Sequence, residues 1–132
     1  MAAYEIPGDL LYSREDEWAR KEDDRTSIGV TDYAQQQLGD IVFLELPEIG
    51  TRVERGAPFG VIESVKAVAD LFAPISGEVV AVNANLEAHP EAVNEDCYGD
   101  GWILAIQAQE DSGFESLLDA KGYLQHIEER EK

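Results

Sequence analysis

Cysteine is almost missing from this sequence: Cys97 stands alone among 132 residues. One thiol cannot close an intramolecular disulfide or build a thiolate metal cluster. Basic side chains are scarce as well. Ten Lys and Arg face 28 Asp and Glu, leaving a formal net charge of −18. Such a field repels nucleic acid and anionic membrane surfaces and speeds encounter with basic patches on partner proteins. No apolar run approaches the ~20 residues that a membrane-spanning helix needs. The first residues, Met1-Ala2-Ala3-Tyr4-Glu5-Ile6-Pro7, have neither a basic region nor an apolar core. They read as neither a secretory signal nor an Arg-rich transit peptide. The expectation is a cytoplasmic protein of bacterial type, although a mature mitochondrial protein would read the same.

Catalytic signatures are lacking too. There is no Gly-rich phosphate loop, no nucleophile elbow and no metal-ligand spacing. His89 and His126 lie far apart in sequence without a carboxylate–histidine pattern, and read as solvated or structural. Cys97 follows Glu95-Asp96 with no cation nearby in sequence, so nothing lowers its thiol pKa and it reads as inert. Trp18 and Trp102 read as core. The expectation is a non-catalytic protein.

What the sequence does have is a chain that is 44% hydrophobic and long enough to bury a core. It is expected to form one domain over residues 1–132, with a core of about 10–110 and a helical tail of about 112–129. It is organised around Gly60 to Leu71, where two apolar runs, Val61-Ile62 and Val68 to Phe72, flank Lys66. Short Val/Ile/Phe runs on either side of a few small or polar residues predict two strands and a tight hairpin. Lys66 falls at the tip. It is the only Lys or Arg between Arg55 and Lys121, an interval holding twelve carboxylates. A solvated surface lysine and an amine kept for chemistry or covalent modification both fit.

Along the chain, Pro7-Gly8 marks a turn and Leu10-Leu11-Tyr12 a short apolar piece. Residues 13–26 are charged, with Trp18 as their core contact and Glu22-Asp23-Asp24 as a turn. Ser27 to Val30 predicts a strand. Thr31 is a helix N-cap for a short helix from Asp32 to Leu38, ended by Gly39. Asp40 to Leu46 predicts a strand, Thr51 to Glu54 alternates, and Phe59 to Ile62 enters the hairpin. In the tail, Phe114, Leu117, Leu118, Leu124 and Ile127 recur at helical spacing. Gly122 interrupts them, predicting two short helices or one kinked helix, with Glu128 to Lys132 frayed.

A partial repeat appears. Gly39-Asp40-Ile41-Val42 is echoed by Gly77-Glu78-Val79-Val80, an offset of 38. Gly60-Val61-Ile62-Glu63 is echoed by Gly101-Trp102-Ile103-Leu104, an offset of 41. Two similar β-halves joined through the hairpin predict a flattened sandwich or barrel with approximate two-fold symmetry.

These residues resemble a known family, the H-proteins of the glycine cleavage system. The likeness rests on Glu63-Ser64-Val65-Lys66-Ala67, on Ala73 to Val80, on Pro90-Glu91-Ala92-Val93-Asn94 and on Tyr98-Gly99-Asp100-Gly101-Trp102. Upstream, Glu17-Trp18, Gly29-Val30-Thr31 and Leu38-Gly39-Asp40 also fit, so the resemblance runs from about Trp18 to the tail. Two departures stand out: Asp16 where the family usually has His, and Cys97 where it usually has Pro.

The resemblance implies a mainly β, hammerhead-like lipoyl/biotinyl-carrier sandwich with quasi-two-fold halves, one short internal helix and a C-terminal helical segment. It implies (R)-lipoate in amide linkage to Lys66, with Glu63, Ser64, Val65 and Ala67 as neighbours that guide modification. It implies a P-protein that loads the aminomethyl group of glycine, a T-protein that passes the methylene to tetrahydrofolate and releases ammonia, and an L-protein that reoxidises the dithiol. A lipoate ligase or an octanoyl/lipoyl transferase would install the arm. No nucleic acid or membrane partner is expected, and a monomer suits a carrier that docks in turn. Alternatives are an H-protein-like lipoyl donor to other enzymes, or another swinging-arm carrier. Val65 and Ala67 beside the lysine disfavour a biotin carrier, which places Met there. A stand-alone Schiff-base enzyme would need a buried lysine or cationic neighbours, which an exposed tip in an acidic chain does not offer.

Overall fold

The computed structural model describes residues 4–110 and 112–131. Met1–Ala3, Asp111 and Lys132, at the two ends and in the loop before the tail, lie outside the described residues. The strands are β1 (Leu11–Tyr12), β2 (Glu17–Glu22), β3 (Arg25–Val30), β4 (Ile41–Glu45), β5 (Arg52–Val53), β6 (Pro58–Ser64), β7 (Val68–Phe72), β8 (Gly77–Val82) and β9 (Leu104–Ala108). They pair antiparallel in two sheets, one ordered β1-β2-β3-β9-β8-β5 and one ordered β4-β6-β7. The architecture is a sandwich of two sheets, mainly β, with no closed barrel. Among the described residues, no helix is long and apolar enough to cross a membrane.

The inward positions of both sheets meet in one core. Ile28 and Val30 come from β3, Ile41 from β4, Ile62 from β6, Leu71 from β7, Val79 from β8, and Leu104 and Ile106 from β9. Each fully buried aliphatic side chain contributes about 1.5–3 kcal/mol relative to an exposed one. A second, aromatic cluster joins Leu10, Tyr12, Trp18, Tyr33, Tyr98, Tyr123 and Ile127, with Cys97. Tyr12 and Tyr123 stack with centroids 4.8 Å apart. Trp18 is fully buried. Trp102 is partly buried against the same cluster.

The expected helix is present as α1 (Asp32–Leu38), with the Thr31 hydroxyl accepting from the Ala34 N–H and Gly39 at φ +82° closing it. It is not the only internal helix. Single turns α2 (Asn85–Ala88) and α3 (Ala92–Glu95) also form. Four residues are too few for the helical period to show in a sequence. β2 is a full strand within residues 13–26, a stretch that reads as charged, with no strand expected there. Its exposed positions carry Lys21 and Glu22, which hid the alternation, while it pairs with all six residues of β3 around the Asp23 turn.

The tail breaks at a different place from the one expected. A 3₁₀ turn spans Phe114–Ser116, and α4 (Ala120–Arg130) follows as one helix. Gly122 lies inside the first turn of α4, where its N–H donates to the Asp119 side chain at 2.8 Å. The break falls at Leu117–Leu118, because Leu118 exchanges two backbone hydrogen bonds with Tyr12 of β1. Nor is the end of α4 frayed from Glu128. Helix continues to Arg130, whose guanidinium pairs with Asp16 at 2.9 Å. Asp16, at φ +76°, also accepts from the Tyr123 hydroxyl at 2.8 Å, so the residue at the family's His position holds α4.

The internal repeat is visible in the ladders. β4 pairs with β6 as β8 pairs with β9, and both ladders carry an irregularity at the same point, after Ile41 in one and after Val79 in the other. Ile41 faces Ser64 as Val79 faces Ile106, so the strand offsets are 38 and 42. The second offset corrects the expected 41. Ile62 corresponds to Leu104, because the Gly101 to Ile103 stretch is a turn exit rather than the start of a strand.

Candidate functional site

The hairpin forms as expected, with β6 and β7 joined by Val65-Lys66-Ala67. No Asn-Gly pair makes this turn. Ser64 makes it instead. Its N–H donates to the Ala67 carbonyl at 2.8 Å, and its hydroxyl oxygen accepts from the N–H groups of Lys66 (3.2 Å) and Ala67 (3.0 Å). A serine can close a turn this way, satisfying amides that would otherwise bond to water. Ser64 is therefore a turn-builder, and of the four expected neighbours of Lys66 only Val65 and Ala67 are exposed.

The tip is braced from outside the hairpin. The Val65 N–H donates to the Asp40 carbonyl at 3.0 Å. Asp40 follows Gly39, and this corner is gripped by Asn94 of α3. The Asn94 side-chain oxygen accepts from the Ile41 N–H at 2.8 Å, and its amide nitrogen donates to the Gly39 carbonyl and to Gln35 Oε1, each at 2.9 Å. Sequence reasoning assigned Asn94 no role, since nothing local ties residue 94 to residue 39.

The Lys66 stem lies over Gly39. A Cβ at that glycine would sit 3.4 Å from Lys66 Cε. Glu63 is in register with Phe43 and Val68 on the outer face of the small sheet. No ion pair joins Glu63 to Lys66. Among the described residues, the ion pairs are His89–Glu91 and Arg130–Asp16.

Next to Gly39, Leu38 begins the wall of a cleft of about 180 Å³ between α1 and the small sheet. Val30, Ala34, Ile62, Ala69 and Leu71 supply its apolar lining, and Glu15, Asp16 and Glu17 bring acidic side chains to it. Glu17 is buried. It accepts from the Ser13 hydroxyl at 2.6 Å and from the Phe72 N–H at 3.1 Å. Desolvation outweighs these two donors and pushes its pKa up to about 8. Between the ordinary carboxylate range and about pH 8, the folded chain holds a proton at Glu17 that the unfolded chain has lost. This contribution to stability is full below that range and is lost as pH rises through about 8. Glu17→Gln, whose amide can accept from Phe72 and donate to Ser13, is expected to match wild type at pH 5. At pH 9 it should be more stable by about 1–3 kcal/mol. Urea unfolding at the two pH values checks this, and equal stability at pH 9 would count against a proton held there.

His89 is exposed beside Glu91, and His126 contacts the Arg14 carbonyl, so neither reaches the tip. Burial, with Asp32, Glu5 and Asp96 adding to it, pushes the Cys97 thiol up to about 12, so it is not a nucleophile at neutral pH. What residue 97 contributes is its carbonyl, which accepts from the Trp18 indole N–H at 3.0 Å.

Two sheets packed face to face, with one lysine raised on a braced hairpin, define a small β-sandwich of the carrier kind. A family model described as glycine cleavage H-protein matches residues 10–130, and the chain belongs to that family. It is 54% identical over 127 residues to the glycine cleavage system H protein of Rubrobacter xylanophilus, covering 96% of this chain and 98% of the relative. It is 55% identical over 121 residues to a probable glycine cleavage system H protein of Natronomonas pharaonis, covering 92% and 95%. The crystal structure of a glycine cleavage system H protein from Mycobacterium marinum superposes with a TM-score of 0.84 at 36% identity, covering 93% of this chain and 99% of that one.

Proposed function

We propose that this chain is the carrier of glycine cleavage and that Lys66 bears lipoate in amide linkage. The observation that carries this is the tip itself: an exposed lysine, the only Lys or Arg between residues 55 and 121, on a turn braced by Ser64, Asp40 and Asn94. When attached, lipoate supplies a dithiolane that takes up the aminomethyl group of glycine and is left as a dithiol once that group has passed on. The chain's own residues supply presentation. The rigid turn fixes where the arm starts, and tethering raises its local concentration at each partner. In this cycle the chain accepts the aminomethyl group from the P-protein, delivers it to the T-protein and is reoxidised by the L-protein. Its charge of −18 steers it toward basic mouths on those enzymes.

The residues present fit such an arm. The Lys66 stem packs over Gly39, and Leu38 beside that glycine begins an apolar cleft with acidic side chains at its margin. Hydrocarbon suits the lining, and a cationic aminomethyl group suits the acidic margin. Release of CO2 from glycine by a P-protein tests the proposal. Lipoylated chain is expected to support it and unmodified chain is not. Equal release with both, or none with a modified chain where an established H-protein works, would overturn it.

A further inference from the structure

Five large apolar side chains stand exposed among the described residues, and four of them surround the tip: Val42, Phe43, Val65 and Val68. Soluble proteins scatter exposed apolar residues singly, and a cluster marks a contact surface. The register explains the cluster. Phe43, Glu63 and Val68 form one cross-strand row on the outer face of the small sheet, and Glu45, Val61 and Asp70 form the next. The opposite face of these strands is buried through Ile62 and Leu71. Among the described residues, no helix or strand covers the outer face. A shallow hollow of about 340 Å³ continues it past Val61 and Asp70.

We infer that this face, with Val65 at its upper edge, is the surface gripped by the enzyme that acylates Lys66. The inference rests on Lys66 being the attachment site. The occupant follows from reach. To form the amide, an enzyme must bring an activated acyl carbonyl to the lysine nitrogen itself, within one side-chain length of the backbone. It must therefore touch the residues flanking the tip. The attached lipoyl chain about doubles that reach, so enzymes that act on the distal sulfurs can work without contact here. The chemistry of the partner surface follows from the pattern: an apolar centre to cover Phe43 and Val68, rimmed by Lys or Arg to meet Glu45, Glu63 and Asp70.

The test uses unmodified full-length chain with purified lipoate–protein ligase, lipoate and ATP, and follows intact mass against time at several chain concentrations. Phe43→Ser with Val68→Ser is expected to lower kcat/KM by about ten-fold or more, mainly through KM. Val65→Ser, a change on the loop that leaves both strands intact, should lower it several-fold. Ile49→Ser removes an equally exposed apolar side chain in another turn and should leave it within about two-fold. Once fully lipoylated, the double variant should be reduced by dihydrolipoyl dehydrogenase and NADH at the wild-type rate. A double variant modified as fast as wild type overturns the inference. So does an equal loss with Ile49→Ser or in the dehydrogenase reaction, since the face would then not be specific to acylation. No mass gain in wild type would overturn the attachment at Lys66, and this inference with it.

Discussion

Lys66→Arg is expected to abolish carrier activity completely while leaving the fold untouched. The side chain is exposed, forms no ion pair among the described residues and packs only its stem against Gly39. Arginine keeps the charge and the stem, so thermal stability should stay within about 1 °C, as for other surface substitutions. Its guanidinium stays protonated at any physiological pH and offers no free amine to acylate. Intact mass after incubation with the lipoylating system should show one lipoyl increment in wild type and none in the variant, and CO2 release from glycine should vanish with it. The chain has three other lysines, Lys21, Lys121 and Lys132. Lys21 lies over the Phe114 ring and Lys121 sits on α4, neither on a hairpin tip. A full increment on the variant would place the arm on one of these and overturn the proposal for Lys66.

Trp18→Ala should cause the largest loss of stability, about 4 kcal/mol. Several effects act together. The indole is fully buried, and it lies opposite Gly29 in the β2–β3 ladder, where a Cβ would come 2.5 Å from its ring. Glycine at 29 is thus the space that tryptophan at 18 fills. Removing the ring leaves a cavity where the flanking strands are hydrogen-bonded and cannot close in. It also strips the Cys97 carbonyl of its donor and Arg20 of the ring it stacks on, 4.9 Å away. Domains of this kind have about 5–15 kcal/mol of stability in total, so urea unfolding should show the midpoint fall sharply. A loss below about 1 kcal/mol would show that the aromatic cluster contributes little. The consequence reaches the tip, because the segment leading to Cys97 contains Asn94, which grips the Gly39–Asp40 corner under Val65.

The elements that were legible in the sequence are those whose signals are local. The β6–β7 hairpin follows from two short apolar runs, and α1 from Thr31, Asp32 and Gly39 acting within one turn of their partners. The isolation of Lys66 follows from counting charges. Trp18 was legible as core because no other large apolar side chain stands near it in a charged stretch.

Other features depend on partners far away in the chain. β2 is a strand because β3 pairs with it, although the charges on its exposed positions masked the pattern. The tail bends at Leu118 rather than Gly122 because β1, more than a hundred residues earlier, takes up its backbone groups. Glu17 looks like any other carboxylate in a strongly acidic chain until burial sets its pKa, and burial is a property of the packed molecule. Glu63, adjacent in sequence to the lysine's turn, proves to lie on the outer face of the small sheet in a row with Phe43 and Val68, since alternate residues of a strand lie on opposite sides of a sheet. The sequence by itself thus determined which lysine stands isolated at a hairpin tip and what short elements surround it, because turns, caps and strand patterns act over a few residues. Only the tertiary structure decided how the turn beneath that lysine is braced and which face beside it lies open, because those follow from contacts between residues that chain order keeps apart.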